Sequence, residues 1–354
     1  MSLETLLKER IAASGPLTVA DFMAEALLNP DHGYYTTRTP FGAAGDFTTA
    51  PEISQMFGEL IGLCLAQSWM DQGAPARFTL AELGPGRGTL MADALRATAQ
   101  VPGFGAAAKI VLVEASPQLR RVQADTLADH DVRWVDGAAD LPGDAPLWCI
   151  ANEFFDALPI RQFVRDADGW RERCIGVQDS TLSFGLAPRG EQPHLINRLE
   201  DTQDGDVVET CPAAHAILSE LGHRIDDHGG AALIIDYGDW RALGDTLQAV
   251  RSHESADLLD TPGTADITAH VDFEALAQAA APSAHTRLTP QGVFLERLGI
   301  TARAQSLAQR LEGAALETHV AAHRRLTHPD EMGNLFKVLG LFPATAAPPP
   351  GLST

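Results

Sequence analysis

The chain has 354 residues, of which 45% are hydrophobic, and its formal net charge is −21. This composition is typical of a folded globular protein, and the length is enough for one large domain or two ordinary ones. The sequence contains no cluster of lysine and arginine, which argues against nucleic-acid binding, because such binding needs grouped cations to displace phosphate counterions.

Helical patterns dominate the first part of the chain. Apolar spacing predicts helices at 2–13 and 18–28, the second with Thr18 as its N-cap. The Gly-, Thr- and Pro-rich stretch at 32–52 is too irregular for a regular element. A third helix is predicted to start near Pro51 and to carry an apolar face of Ile53, Phe57, Leu60, Ile61 and Cys64.

From residue 78 onward, short apolar runs alternate with helical patterns. The runs are FTLAEL at 78–83, KIVLVEA at 109–115, VRWVD at 132–136, LWCIANE at 147–153 and AALIIDYG at 231–238, with FKVLGLF at 336–342 as the candidate for a last strand. Apolar strands that alternate with helices indicate an α/β fold with a parallel sheet covered on both faces. Ligands of such sheets bind beyond the carboxyl ends of the strands. Four acidic residues fall at those ends: Glu82, Glu114, Glu153 and Asp236.

The alternation is interrupted at 161–210, where hairpin-like strands precede a polar helix and loop. We interpret this segment as an insertion after the fourth strand, on the substrate side of the sheet. The sheet domain is then formed by 76–160 and 211–342, with residues 1–75 as an N-terminal helical segment and lid. Residues 343–354 are rich in alanine and proline and are predicted to be a disordered tail.

The stretch AELGPGRGTL at 81–90 raises the question of what its glycine loop binds. A dinucleotide fingerprint needs a third glycine where Thr89 stands, and the Walker pattern needs Gly-Lys-Ser/Thr, so neither phosphate-binding motif is present. Glu82 precedes the turn by two residues, where a carboxylate would repel a pyrophosphate but attract an ammonium or sulfonium group. S-adenosylmethionine carries both groups and no phosphate. The spacing E-x-G-x-G-x-G also resembles the first motif of class I methyltransferases.

A predicted cofactor site follows from this loop and the strand ends beside it. Glu114 ends the next strand, where an acidic side chain can accept hydrogen bonds from both ribose hydroxyls. Asp136 either lines the adenine pocket or only makes a turn. For the loop as a whole, the alternative is a tight strand-to-helix turn without a ligand. The predicted contacts with S-adenosylmethionine come from Glu82, Gly84, Pro85, Gly86, Gly88, Thr89, Glu114, Ala115, Asp136 and Asn152.

A second group of polar residues follows the fourth strand, in ANEFFDALPI at 151–160. Asn152, Glu153 and Asp156 are expected to face the same cleft and to be the catalytic residues. An amide and two carboxylates suit a planar cation such as the arginine guanidinium, which has five donors in a fixed fork. A carboxylate that pairs with the fork can orient one nitrogen toward the methyl group, so that proximity and orientation supply most of the catalysis. The alternative is that Asp156 caps a helix and Glu153 contacts only the cofactor.

Several segments together resemble one family, the methyltransferases that include the mitochondrial complex I assembly factor and its bacterial relatives. They lie in order along nearly the whole chain: HGYY at 32–35, GDFTTAPEISQMFGEL at 45–60, ELGPGRGTLMADALR at 82–96, NEFFDALPIRQF at 152–163, IDYG at 235–238, PGTADITAHVDF at 262–273, TPQGVFLERLGI at 289–300 and HPDEMGNLFKVLGLF at 328–342. The resemblance implies a class I S-adenosylmethionine-dependent methyltransferase with a Rossmann-like seven-stranded sheet and extra segments over the active site.

The resemblance also implies an activity and a partner. The mitochondrial member methylates an arginine of a complex I subunit, which predicts a protein methyltransferase that modifies a complex I subunit during assembly. Carried over by position, Gly45, Asp46 and Phe47 would cover the methionine end of the cofactor, with a structural turn as the alternative. Asp236 and Tyr237 would border the substrate, unless Tyr237 is only a buried tyrosine. Two alternatives stay open: a non-catalytic assembly chaperone that retains the cofactor pocket, and a small-molecule methyltransferase with a closed apolar pocket.

The remaining features concern metals, compartment and assembly. His319, His323 and His328 lack the glutamate of a zincin motif, and the four cysteines form no C-x-x-C pair, so no metal site is predicted. His270 could reach the cleft as an accessory base or start a helix. Dispersed cysteines, with no signal peptide and no membrane-length apolar run, predict a bacterial cytoplasmic protein that does not insert into membranes. A homodimer is compatible with the sequence, which leaves the oligomeric state open.

Overall fold

The structure is a computed structural model that describes residues 1–37, 48–251 and 253–354. A large mixed β-sheet forms its centre. Across this sheet the strands follow one another as β15 (Ala284–His285), β17 (Phe336–Phe342), β10 (Gly230–Asp239), β5 (Leu147–Asn152), β2 (Phe78–Leu83), β3 (Ala108–Val113) and β4 (Val132–Val135). Two short strands extend it, β14 (Val271–Asp272) beside β10 and β16 (Thr289–Pro290) beside β17. The strands from β10 to β4 run parallel, whereas β17 pairs antiparallel with β10.

The sheet confirms the predicted α/β fold. Each of the six strands expected from the sequence is present, and its ends lie within two residues of the predicted ends. Because β10, β5, β2, β3 and β4 run in one direction, their carboxyl ends share one edge of the sheet. The four acidic residues singled out in the sequence all lie within three residues of that edge: Glu82, Glu114, Glu153 and Asp236.

Helices cover both faces of the sheet, as its near-continuous apolar strands require. Alternate residues of β2 and β5 pack on opposite faces: Leu80 and Trp148 belong to one apolar cluster, and Ala81 and Cys149 to the other. The first face is covered by α5 (Gln55–Asp71), α6 (Thr89–Thr98), α11 (Gln291–Arg297) and α12 (Ile300–Ala308), and the second by α9 (Pro212–His228) and α10 (Phe273–Ala279). Beside them lie α7 (Phe104–Ala107), α8 (Pro117–Thr126), α13 (Gly313–Thr327) and α14 (Met332–Leu335), with 3-10 helices at Ala138–Asp140 and Pro193–Arg198. No helix in the described part of the chain is long and apolar enough to cross a lipid bilayer.

Among the described residues, four helices precede α5 in the chain, namely α1 (Leu3–Ser14), α2 (Val19–Leu28), α3 (Tyr34–Thr37) and α4 (Ala50–Ile53). Thr18 caps α2 as predicted, since its hydroxyl accepts a hydrogen bond from Asp21 N at 3.0 Å. The single helix predicted from Pro51 is wrong, because the chain breaks at Ser54 between α4 and α5. Ser54 has an extended backbone, with φ −161°, and its Oγ accepts from Met56 N at 3.3 Å, so that it caps α5 as a new helix.

Two smaller antiparallel sheets complete the described part of the fold. The first contains β1 (Leu17–Thr18), β7 (Gly169–Gln178), β6 (Arg161–Asp166) and β9 (Val207–Thr210), with β8 (Thr181–Leu186) beside β7, and the second contains β12 (Glu254–Ala256), β11 (Gln248–Arg251) and β13 (Asp266–Thr268). A third apolar cluster joins both sheets to the N-terminal helices through Leu7, Phe22, Ile175 and Ile267. The N-terminal segment and the insertion therefore share one core, although the sequence suggested two separate covers.

The end of the chain packs against the main sheet, so the prediction of a disordered tail at 343–354 is wrong. Leu352 is buried in the apolar cluster on the first face of the sheet. Ser353 O accepts from Arg287 N at 2.8 Å, and Gly351 O accepts from the Arg297 guanidinium at 3.0 Å. A proline- and alanine-rich composition suggests disorder, but it does not reveal a single apolar side chain that finds a place in the core.

Candidate functional site

One cavity of about 1150 Å3 runs along the carboxyl edge of the main sheet. Its first part, called here the loop end, is lined by Gly84, Gly86, Glu114, Ala115 and Asp136. Its second part, the acidic end, is lined by Glu153, Asp156, Tyr237, Asp266 and His270. The volume is at the upper limit of small-molecule pockets, so the cavity has room for a nucleoside-sized ligand and for a second group beside it.

The glycine loop connects β2 to α6 with a backbone that side chains disfavour. Gly84, Gly86 and Gly88 have φ values of 61°, 53° and 81°, in the left-handed region where glycine has no steric penalty. A Cβ at Gly84 would lie 2.8 Å from the ring of Phe154. The predicted strand, turn and helix are therefore present, and bare backbone faces the cavity at Gly84 and Gly86.

Glu114 follows β3 on the cavity wall and is held in place by two hydrogen bonds. Its Oε1 accepts from Ser116 N at 2.7 Å, and its Oε2 accepts from Gln123 Nε2 at 3.2 Å. Burial raises the pKa of Glu114, and the two bonds oppose this rise. The Gln123 amide also donates to Gly86 O at 2.8 Å, so this fully buried side chain fixes the glycine loop and Glu114 relative to each other. Gln123 was not among the residues predicted from the sequence, and its signal there is a glutamine four residues after Leu119 on the buried side of α8.

Asp136 lies at the rim of the loop end. Its side chain is 84% exposed and pairs with the Arg120 guanidinium at 2.5 Å. Arg120 Nε also donates to Glu114 O at 2.7 Å. Asp136 is therefore on the cavity wall, as the adenine interpretation requires, although its carboxylate already has a partner.

Glu82 lies behind the loop and outside the cavity wall, and its carboxyl group is incompletely satisfied. It is 3% exposed, and its Oε2 has no hydrogen-bond partner among the described residues. Burial raises the pKa of Glu82 to about 8, so the side chain holds a proton at neutral pH when no cation is near. A buried carboxyl oxygen without a partner is costly, and a positively charged ligand would offset that cost. This environment fits a site that prefers a cation.

The other predicted cofactor contacts differ in their positions. Pro85, Gly88 and Thr89 are not on the cavity wall of the described residues. Thr89 is the first residue of α6, and its hydroxyl donates to Glu52 Oε1 at 2.6 Å, which joins the loop to α4. The predicted lid residues Gly45, Asp46 and Phe47 lie outside the described residues.

Glu153 follows β5 in a strained conformation. Its φ is 52°, a left-handed value that costs roughly 1–2 kcal/mol for a residue with a side chain. Its Oε1 accepts from Asn152 Nδ2 and from Ala50 N, both at 3.0 Å. Burial raises the pKa of Glu153 to about 7. Backbone strain and a perturbed carboxyl group both disfavour folding, and together they are typical of functional sites.

Asp156 and Asp236 are a buried pair of carboxyl groups with unequal surroundings. Asp236 Oδ2 accepts three backbone N–H groups at 3.0–3.3 Å, those of Phe154, Phe155 and Asp156. Asp156 Oδ1 has no partner among the described residues, and burial together with the charge of Asp236 raises the pKa of Asp156 well above its usual range. The pair therefore keeps a proton on Asp156. Residues 153–160 form no helix, so the helix-cap alternative for Asp156 is wrong.

Two segments distant in sequence complete the acidic end, and sequence analysis gave their residues no role. The Tyr35 hydroxyl in α3 donates to Asp266 Oδ1 in β13 at 2.7 Å. Burial and the neighbouring Asp266 raise the pKa of Tyr35 well above its usual range, so the phenol stays neutral. Gln248 Nε2 donates to Thr268 Oγ1 at 3.3 Å on the same wall. The signal available was that HGYY and PGTADITAHVDF carry the family resemblance.

His270 and Tyr237 form the far side of the acidic end. Their rings meet edge to face, with centroids 5.3 Å apart and planes at 88°. Burial lowers the pKa of His270, so the imidazole is neutral at pH 7. His270 precedes β14 and lines the cavity, which agrees with the cleft position considered in the sequence.

Comparison with known proteins places the whole chain beside methyltransferases. Residues 60–291 match the sequence profile of a family described as "Putative S-adenosyl-L-methionine-dependent methyltransferase". The chain is 37% identical to the mouse "Protein arginine methyltransferase NDUFAF7, mitochondrial" over 366 residues, which cover 95% of this chain and 83% of that one. The human protein of the same name is 36% identical over 367 residues, covering 95% and 82%.

A solved structure shows the same architecture with a ligand related to the expected cofactor. It is a protein from Burkholderia thailandensis bound to S-adenosyl-homocysteine, with 31% sequence identity and a TM-score of 0.82. The superposition covers 96% of this chain and 91% of the Burkholderia protein. The main sheet described above is thus a class I methyltransferase sheet.

Proposed function

Because this chain belongs to a family of S-adenosyl-L-methionine-dependent methyltransferases, its cofactor is S-adenosylmethionine, and we propose that it methylates an arginine side chain of a protein. One observation carries the proposal: bare glycine backbone and seven acidic or phenolic side chains line a single cavity. Methyl transfer needs a cofactor and an acceptor side by side, and this cavity offers a place for each.

The loop end fits the cofactor. Bound S-adenosylmethionine supplies a methyl group on a positively charged sulfur. Gly84 and Gly86 would give its methionine part access to the backbone, and Glu114 would accept hydrogen bonds from its ribose hydroxyls. Glu82, behind the loop, would lie near the positive charge of the cofactor, which would stabilise the ionised form of its unpartnered carboxyl group.

The acidic end fits a guanidinium. Glu153 would accept hydrogen bonds from the fork of donors and orient one nitrogen, with Asp266 as a further carboxylate on the same wall. Because a cation stabilises the ionised form of a carboxyl group, binding would lower the pKa of Glu153 from about 7. The nitrogen that gains a methyl group must lose one N–H proton. Glu153 has the pKa to hold that proton before it reaches solvent.

The neutral tyrosines give this end its shape. Tyr35 and Tyr237 flank the carboxyl groups without adding charge, since burial raises the pKa of both phenols far above neutrality. A small-molecule methyltransferase was expected to have a closed apolar pocket. The acidic lining of this end instead supports an arginine acceptor.

The natural partner in this proposal is a subunit of respiratory complex I, modified during assembly in the bacterial cytoplasm. Two findings support it: the family resemblance along the whole sequence, and relatives named as protein arginine methyltransferases that share 36–37% of residues with this chain. The proposal includes a homodimer, which analytical ultracentrifugation of the purified protein distinguishes from a monomer.

The test is mass spectrometry of complex I subunits from cells that lack this protein, complemented with the wild-type gene or with Gly86→Val. We expect one methylated arginine to disappear in the deletion strain, to return with the wild-type gene and to stay absent with Gly86→Val. A target arginine methylated to the same extent in the deletion strain would overturn the proposal. If Gly86→Val restored complex I assembly without methylation, the chaperone alternative would be correct.

A further inference from the structure

A second, smaller cavity opens beside the acidic end of the first. Its volume is about 680 Å3, and it lies between the loop that follows β10 and the segment from Pro329 to Lys337. His270 and Leu335 line both cavities. The two cavities therefore adjoin at these two side chains, so a ligand group that passed from the second cavity to the acidic end would pass beside His270.

Apolar side chains stand exposed around this second cavity. Leu243 and Leu335 on its wall are 48% and 50% exposed, and Trp240, between the wall residues Asp239 and Arg241, is 37% exposed. Exposed apolar groups that gather at the mouth of a cleft are typical of binding surfaces. One or two apolar side chains of a ligand would therefore be buried against Leu243, Leu335 and Trp240.

The charges around it are mostly neutralised within the protein. Arg241 pairs with Glu274 at 2.5 Å, and Glu331 pairs with Arg324 at 3.0 Å. Two wall carboxylates, Asp239 and Asp330, make no ion pair with lysine or arginine among the described residues. Lys337 is a further wall cation without a carboxylate partner among the described residues, and its ammonium donates to the carbonyl oxygens of Asn334 and Leu335. The wall carboxylates thus exceed the wall cations by one, which favours a neutral or basic segment over an acidic one.

We propose that the second cavity is the docking site for the polypeptide segment that carries the methylated arginine. This inference rests on the proposed function. The arginine side chain extends past His270 to Glu153, and the apolar side chain of a neighbouring residue packs against Leu243 and Leu335. A segment of this kind fits because the backbone on either side of a buried arginine must leave the active site through an adjoining opening. The substrate is therefore recognised by an apolar residue beside the arginine and by the absence of acidic neighbours.

The experiment compares three acceptors with saturating S-adenosylmethionine: acetyl-Gly-Leu-Arg-Leu-Gly-amide, acetyl-Gly-Ser-Arg-Ser-Gly-amide and N-acetylarginine amide. Methyl transfer gives KM and kcat, and fluorescence anisotropy of a dye-labelled leucine peptide gives its Kd with S-adenosyl-homocysteine present. The variant is Leu243→Asp, whose side chain lines only the second cavity. The control is Met70→Asp, which is 41% exposed and lies near Gln72, a residue bonded to Gly230 at the opposite edge of the sheet.

We expect the leucine peptide to have a KM about tenfold lower than that of the serine peptide, since burial of one leucine side chain is sufficient for this difference. In Leu243→Asp the advantage should vanish, with kcat and the methylation of N-acetylarginine amide within about twofold of wild type, and Met70→Asp should behave as wild type. A leucine preference that persists in Leu243→Asp, or that is absent in the wild type, would overturn the docking site.

The two proposals fail in distinguishable ways. If none of the three acceptors is methylated, arginine methylation itself is wrong, and the anisotropy measurement still decides the docking site. Binding of the leucine peptide that Leu243→Asp weakens by about tenfold would support the site, and equal binding by both proteins would overturn it.

Discussion

The two ends of the main cavity are built in different ways. The loop end takes its backbone from one strand, turn and helix at 78–98 and its side chains from the ends of the neighbouring strands. The acidic end combines α3, the segment after β5, the end of β10 and the small sheet that contains β13. One end therefore depends on local sequence, and the other depends on how distant segments pack.

The two ends also differ in how far their polar groups are satisfied. On the wall of the loop end, Glu114 has protein partners for both carboxylate oxygens, and Glu82 behind the loop leaves one buried oxygen without a partner among the described residues. At the acidic end, Asp156 and the neighbouring Asn152 each leave one. Buried polar groups with complete hydrogen bonds keep their positions without a ligand. Buried polar groups without a partner are costly, and a ligand that bonds to them stabilises the protein. We infer that the cavity wall of the loop end is preformed, and that the acidic end and Glu82 behind the loop both gain stability when a cation enters. Substitutions at each end distinguish these two behaviours.

The largest effect is expected for Gly84→Val. The new side chain would have to adopt φ 61° with its Cβ 2.8 Å from Phe154, so affinity for S-adenosylmethionine should fall by about 1000-fold, on the order of 4 kcal/mol. Isothermal titration calorimetry measures the affinity. Gly143→Val is the control, because a Cβ there meets no atom within 4 Å and should leave affinity unchanged. Equal affinity in both variants would show that the loop end does not need bare backbone.

Glu153→Gln should leave the loop end intact and disable the acidic end. Removal of the carboxylate should lower kcat by about 100-fold with little change in cofactor affinity, because the group acts on the acceptor. In the wild type, kcat/KM should rise with pH through about 7, where Glu153 ionises, and this rise should be missing in the variant. Steady-state kinetics from pH 5.5 to 9 measure both. Glu220→Gln on the outer surface of α9 is the matched control. An unchanged pH profile in Glu153→Gln would assign the titration to another group.

Glu82→Gln tests whether the buried carboxyl group behind the loop, which favours a cationic ligand, lowers the free energy of unfolding of the ligand-free protein. The folded pKa of about 8 lies above the ordinary value of 4.5, so the unfolded chain ionises first as pH rises. The free energy of unfolding of the ligand-free protein should therefore fall between pH 5 and pH 8. In Glu82→Gln this decrease should shrink by on the order of 2 kcal/mol.

The same variant should bind S-adenosylmethionine about tenfold more weakly, since a charge-assisted interaction is lost. Urea denaturation at pH 5 and pH 8 measures stability, and calorimetry measures affinity. A parallel decrease in stability for the wild type and the variant would mean that Glu82 is not the group that titrates.

The smallest effect is expected for Asp136→Asn. Its carboxylate is largely exposed and already paired with Arg120, and exposed ion pairs contribute little. Affinity for S-adenosylmethionine should change by no more than about twofold, because an amide can still accept a hydrogen bond at the rim. Calorimetry against the wild type checks this. A loss greater than tenfold would show that the charge of Asp136 contributes to adenine binding.

Local sequence was sufficient to predict the sheet and its loop. The apolar runs from 78 to 153, at 231–238 and at 336–342 gave the strands within two residues, because strands buried on both faces need nearly continuous apolar sequence. The glycine spacing predicted the turn because left-handed backbone selects glycine. Two predictions failed because of single residues. Ser54 caps α5 and divides the helix predicted from Pro51, and Leu352 enters the core and orders the tail predicted to be disordered.

The sequence by itself determined the class of fold, the position of the glycine loop and the acidic residues at the strand ends, since each depends on neighbours within a few positions. Only the tertiary structure decided that Tyr35, Asp266 and His270 join Glu153 and Asp156 in one cavity. It also decided that Glu82 and Glu153 have raised pKa values, because burial depends on every segment that packs over them. Contacts across more than 200 positions, such as Tyr35 with Asp266, leave no periodic trace in the chain, and their energy comes from packing that no local pattern records.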